Sequence, residues 1–152
     1  MKQFDSANSK TAVFTKGKVI VFEGKLYPEN MTLEPRTLWF ALDTGATSTH
    51  ISKALLNSTG YSDSIFSDDT KESLSVTGPY TAKLCCVRRL GFLGMSLKNL
   101  SVKVWDPPGM HHVHGIAGMD LLRFFNIYIN MDRQIATFEL SEATKSLIPA
   151  KP

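Results

Sequence analysis

Asp43-Thr44-Gly45-Ala46 follows directly on the apolar run Leu38-Trp39-Phe40-Ala41-Leu42. A carboxylate at the end of a strand whose side chains favour burial is costly unless it is hydrogen-bonded or shifted in pKa. Gly45 lets the backbone turn where a side chain would clash, and Thr44 brings a hydroxyl for a local or cross-chain bond. Such a strand end presents an acid for proton transfer, with Asp43 expected at or near the core. A second group, Met110-His111-His112-Val113-His114, gathers three imidazoles. Zinc sites draw their ligands from separate turns, so these histidines read as a loop edging a cleft, sensitive to pH near neutrality. No metal is expected. Asp120, ahead of Leu121-Leu122, reads as a helix cap.

The elements that must position these residues read mainly as strands. Val19-Ile20-Val21-Phe22 is a buried-strand pattern between Gly17 and Gly24. Pro28, Asn30 and Pro35 mark a loop before the strand over 37–42, whose two apolar faces place Leu38 and Phe40, and Trp39 and Ala41, in the core. Ser52 caps a short helix over 53–56 that Gly60 ends. Residues 62–73 are acidic and serine-rich, a surface loop. Segments 82–90 and 97–105 form a hairpin with Gly91 and Gly94 as its turn residues, and Asp120 caps a helix over 121–125. Segments 126–130 and 135–140 close the chain as a strand pair. This predicts a small, closed or barrel-like all-β domain with one or two short helices.

The chain has 152 residues, 43 % hydrophobic, with a net charge of +3. That is enough for one domain with its own core. The expected boundaries are a flexible segment over 1–10, the domain over 11–142 and a tail over 143–152. No basic stripe with interleaved aromatics occurs, so nucleic acid is not an indicated partner. No apolar stretch approaches the roughly 20 residues of a membrane span, and no membrane partner is expected. The first eight residues have no apolar h-region, so a complete product would be cytoplasmic. Cys85 and Cys86 are adjacent and would point to opposite faces of a strand, which argues against a disulfide between them.

The run into Asp43-Thr44-Gly45-Ala46 resembles the active-site loop of retropepsin-like aspartyl proteases. A second element, Gly115-Ile116-Ala117-Gly118-Met119-Asp120-Leu121-Leu122, resembles the segment that closes the catalytic domain in that family, where a strand passes beside the Asp loop into a short helix. Between them Ser75-Val76-Thr77-Gly78-Pro79-Tyr80-Thr81 fits the place of the flap, a glycine-tipped hairpin. The resemblance spans residues 17–140 in order and implies a retropepsin (acid protease) fold, closer to cellular and bacterial single-domain members than to viral ones. Two departures stand out. Ala117 reduces one large side chain of the apolar pair to a methyl, and Met119 stands where viral members carry arginine.

The resemblance implies that Asp43, Thr44 and Gly45 are catalytic, with Thr44 bonding across a two-fold axis. It implies that Ala46, Gly78, Tyr80, His114 and Ile116 contact a polypeptide substrate, with no cofactor. Peptide hydrolysis by this route needs a base to activate water and an acid to protonate the carbonyl oxygen. Two close carboxyls sharing one proton supply both, as aspartic proteases do. The chain has no second Asp-Thr-Gly or Asp-Ser-Gly. A homodimer is therefore implied, each copy giving one Asp43. The alternative is a non-catalytic dimeric module of the same fold that binds peptides or serves assembly. The phosphate loop of sugar kinases and actin-like ATPases also resembles residues 42–48, but that fold needs a much longer chain.

Overall fold

The computed structural model describes residues 9–15, 19–68, 73–75, 78–105 and 112–145. In chain order the elements begin with β1 (Ser9–Thr15), β2 (Val19–Leu26), β3 (Arg36–Leu42) and β4 (His50–Ser52). Helix α1 (Lys53–Ser58) and a 3-10 turn (Asp63–Ile65) lead to β5 (Ser67–Asp68), β6 (Ser73–Ser75) and β7 (Gly78–Tyr80). The long strands β8 (Lys83–Phe92) and β9 (Met95–Trp105) precede β10 (Gly115–Ala117) and α2 (Met119–Leu122). The described chain ends with β11 (Phe125–Asn130), β12 (Ile135–Leu140) and α3 (Glu142–Lys145). None of these helices is long and apolar enough to cross a membrane.

Ten strands lie in the order β11-β12-β1-β2-β3-β10-β4-β9-β8-β5, and β8 pairs back onto β2. That pairing closes a ring of β2, β3, β10, β4, β9 and β8, and leaves β1, β12 and β11 as an antiparallel extension of β2. The fold is thus mainly β and closed, as the sequence implies. The strands form because their apolar residues alternate. In β2 Phe22, Gly24 and Leu26 are buried while Glu23 and Lys25 are exposed. The same period buries Cys85 and exposes Cys86, and both are free thiols.

Phenylalanines join the barrel to its extension. Phe22 packs on Phe40 at 5.6 Å and on Phe138 at 5.4 Å between ring centroids. Phe138 meets Phe125 edge-on at 6.0 Å, and Phe125 meets Phe92 at 5.8 Å. Each such pair adds about 0.5–1.5 kcal/mol beyond the area it buries. Tyr61 is fully buried and its hydroxyl is satisfied, donating to Tyr27 O at 2.8 Å and accepting from Arg88 N at 3.0 Å.

Several details differ from the sequence reading. Strand β1 was not expected; its polar Ser-Lys-Thr start hides an edge-to-edge role between β2 and β12. Gly91 lies inside β8 opposite Ser96, and the hairpin turn falls at Leu93-Gly94, both with positive φ. Trp39 is 39 % exposed while Leu38 and Phe40 are fully buried; Ala41, on the face of Trp39, is buried with Val21 and Val113, so that face opens only at Trp39. The expected hairpin over 75–81 has backbone pairing of Ser73 with Tyr80, Leu74 with Pro79 and Ser75 with Gly78. Val76 and Thr77 lie outside the described residues, as do 106–111 with His111.

Candidate active site

Asp43 follows β3 at the point where two parallel strands end together. Strand β10 lies between β3 and β4, parallel to the first and antiparallel to the second. Its register sets Gly115 beside Phe40, Ile116 beside Ala41 and Ala117 beside Leu42. Only glycine fits at the start of this strand. A Cβ on Gly115 would stand 2.5 Å from His50 O and 2.9 Å from the Phe40 ring.

The backbone of Asp43 is fixed on both sides. Its N–H donates to Ala117 O at 3.2 Å, and its carbonyl accepts from Ala46 N at 3.2 Å, closing the turn. Asp43 Oδ1 accepts from Gly45 N at 2.8 Å. Among the described residues Oδ2 has no hydrogen-bond partner, and it remains for another group. The sequence reading placed this acid at or near the core. In the single chain Asp43, Thr44 and Gly45 are all exposed, because the apolar residues of β3 are buried while the turn leaves the barrel. A groove of about 410 Å³ opens beside Thr44, lined by Met119, Leu122, Arg123, Phe125 and Tyr128 among others.

Beyond the turn, residues 46–49 are zipped to residues 118–120. Met119 N donates to Ala46 O at 2.8 Å and Asp120 N to Thr47 O at 3.3 Å. The Thr49 hydroxyl accepts from Gly118 N at 3.3 Å and donates to Asp120 Oδ1 at 2.7 Å. Asp120 Oδ2 accepts from Thr49 N at 2.9 Å. Asp120 stands inside α2, whose N-cap residue is Gly118 rather than Asp120, although its Oδ1 also accepts from Leu121 N of that helix at 2.9 Å. The carboxylate also satisfies a fully buried threonine across the loop. A side chain on Gly118 would meet Ser48 C and O at 2.6 Å, so the zipper also requires glycine there.

His50 and Lys103 are buried next to this zipper, and the sequence reading missed both. His50 meets Trp105 edge-on at 6.5 Å between ring centroids. Burial lowers the His50 pKa, and nearby Lys103 adds to that. A hydrogen bond with the Ser48 backbone and the charges of Asp120 and Asp43 act the other way. Thr49 and His50 could have been suspected from their place just past the acid motif. Lys103 lies in an alternating strand, where nothing in the sequence marks it as buried.

The implied substrate contacts are spread around this centre. Ala46 is half-buried and bound through its carbonyl to the zipper. Ile116 is half-buried in β10, opposite Ala41 and His50. His114 precedes β10 and is tied to β3 in both directions. Its Nδ1 accepts from Trp39 N at 3.0 Å, and its own N–H donates to Trp39 O at 2.8 Å. His112 is exposed. Gly78 and Tyr80 are the first and last residues of β7, in the two-stranded sheet apart from the barrel.

No protein-family profile matches the chain, and no curated protein matches it. Among solved structures the chain is similar to a retropepsin-like aspartic protease from Rickettsia conorii. The TM-score is 0.64 at 16 % sequence identity, covering 87 % of this chain and 90 % of that one. The chain has a retropepsin-like fold.

Proposed function

We propose that the chain is an aspartic endopeptidase acting as a homodimer, with one Asp43 from each copy. The observation that carries this reading is the setting of Asp43. A carboxylate is held by Gly45 N, on a turn pinned to Ala117, at the open end of a parallel strand pair in a retropepsin-like fold. Its exposure fits the reading, because a second copy is then needed to cover it.

In the dimer the two carboxyls share one proton, since like charges so close resist ionising together. The ionised one takes a proton from a water molecule as its oxygen attacks the scissile carbonyl carbon. The protonated one gives its proton to the carbonyl oxygen, and the resulting gem-diol collapses with a proton passing to the leaving amine. The rigid turn contributes by holding the acid without reorganisation at the moment of reaction. The β6–β7 hairpin would close over an extended peptide, whose backbone pairs as an added strand.

The test is a peptide-library digest read by mass spectrometry from acid to neutral pH, with wild type beside Asp43→Asn. Wild type should cleave, and the variant should lose roughly 10²–10⁴-fold in rate. Cleavage that survives the substitution, or none from protein that sediments as a dimer, would sink the proposal.

A further inference from the structure

We propose that the outer face of the barrel carries a second binding surface, a groove centred on Arg89 that takes an acidic segment of a polypeptide. This goes beyond the endopeptidase reading and does not depend on it.

The groove, of about 380 Å³, lies on β2, β8 and the start of β9. Leu26, Leu90 and Phe92 are buried in the core, so alternation turns their neighbours Lys25, Arg89 and Gly91 to the outer face. Three strands meet there in register, with Lys25 beside Gly91, Gly91 beside Ser96 and Arg89 beside Lys98. None of these strands carries the Asp43 turn.

Gly91 marks the place a ligand can reach. Glycine inside a strand weakens it, and it often signals a bulge or the close approach of a ligand or another backbone. Gly91 is in register with both neighbouring strands, so no bulge accounts for it. Nor does crowding. Apart from its chain neighbours, the nearest described atom to a Cβ on Gly91 would be 3.8 Å away, whereas one on Gly115 would stand 2.5 Å from His50 O. The glycine leaves a gap in the row between Lys25 and Ser96.

Arg89 is held ready beside that gap. Its guanidinium lies over the Tyr27 ring at 4.4 Å, and its Nε donates to Ser96 Oγ at 2.7 Å. Among the described residues Nη1 and Nη2 have no hydrogen-bond partner, so two donors of the fork remain for the two oxygens of a carboxylate. Arg88, next in the chain, already has such a partner, Glu29 Oε1 at 2.6 Å. A guanidinium fixed before binding loses little freedom when its ligand arrives.

The charge around the groove selects the sign of the ligand. Lys25 lines it, Lys98 flanks Arg89, and Lys10 Cε would lie 3.5 Å from a Cβ on Gly94 at the turn. None of these four cations is ion-paired with a described acid; the described pairs are Lys53 with Asp63, Lys83 with Asp68 and Arg88 with Glu29. Among the described residues Glu23 is the one acid lining the groove, two positions before Lys25. It repels a continuous polyanion such as nucleic acid and leaves the Arg89 end to separate carboxylates.

The test is the binding of fluorescein-labelled hexaglutamate to the full chain, read by anisotropy in an Asp43→Asn background to keep the peptide intact. The peptide should bind, and hexaglutamine should not. Arg89→Gln, and Gly91→Ile with its charge unchanged, should each weaken binding by about tenfold or more. Lys83→Gln, which removes the same charge elsewhere on β8, should leave binding unaltered. Circular dichroism checks each fold. Isoleucine suits an exposed strand position, so Gly91→Ile decides should Arg89→Gln misfold. No binding by folded protein, full binding by Gly91→Ile, or equal weakening by Lys83→Gln and Arg89→Gln overturns the groove. An oligothymidylate that binds more tightly and displaces the peptide overturns the polypeptide assignment. Each of these failures leaves the endopeptidase reading standing. Binding by a chain whose wild type cleaves no peptide supports the groove and overturns that reading.

Discussion

Thr49 gives both of its hydrogen-bond donors to Asp120, its N–H to one carboxylate oxygen at 2.9 Å and its hydroxyl to the other at 2.7 Å. The two residues are 71 positions apart, and each leads back to the loop of Asp43 through its own short segment. Truncating Asp120 leaves two donors of a fully buried threonine without partners. Asp120→Ala should cost about 1–3 kcal/mol in urea unfolding. Asp120→Asn should cost less, because its amide oxygen can still accept from Thr49 N, although its NH2 then faces the Leu121 N–H that Asp120 Oδ1 satisfies. Equal losses for the two variants would mean that charge, and not the bonding geometry, holds the pair.

Gly118→Ala places a methyl against the backbone of Ser48 and Ala46. Neither contact is the end of a flexible side chain, so the loop itself must move. Overpacking of this kind costs about 1–3 kcal/mol. Peptide cleavage should fall further than unfolding stability accounts for, because the displaced segment also carries Asp43. Rates measured at a temperature where both proteins are fully folded separate the two effects.

His50 makes stability depend on pH. In the unfolded chain it takes a proton near its ordinary pKa of 6.5, whereas burial lowers its pKa in the fold. Between the two values the unfolded state binds more protons, so stability rises with pH across that window and is lost as pH falls below about 6.5. The slope from one such group is at most about 1.4 kcal/mol per pH unit. Urea midpoints for wild type and His50→Leu should therefore diverge on acidification, with the variant falling less.

The adjacent cysteines should separate by reactivity. Burial pushes the Cys85 thiol up to about 11, with Cys86 adding to the shift, and the thiolate is the reactive form. Cys86 is exposed. Native protein should take up one equivalent of a thiol reagent quickly and a second only on unfolding, with Cys86→Ser abolishing the first. Rapid labelling of both would contradict the burial of Cys85.

The parts that could be read from the sequence are those set by local pattern. Leu38 and Phe40, Ser52 before its helix, and the glycine of the Asp43 turn each follow from propensity or periodicity over a few residues. The strand β10 could be placed through the motif at Gly115, although its position between β3 and β4 is a matter of topology. What escaped the reading depends on distant partners. Asp120 looked like a cap because its neighbours are helical; its Oδ1 does accept from Leu121 N, but it lies within the helix and both its oxygens also accept from Thr49. Trp39 looked buried because its strand is apolar, yet one face of that strand is partly open. The exposure of Asp43 escaped for the same reason: burial of a strand does not fix where its terminal turn points.

The placement of β10 also has a consequence for the order in which the protein acquires its shape. The bond between Trp39 and His114 closes a loop of 75 residues, and contacts so far apart in sequence form late. A nascent chain emerging from the ribosome carries Asp43 long before it carries Ala117. Until that segment has been made, the turn of Asp43 has no strand beside it to pin its backbone.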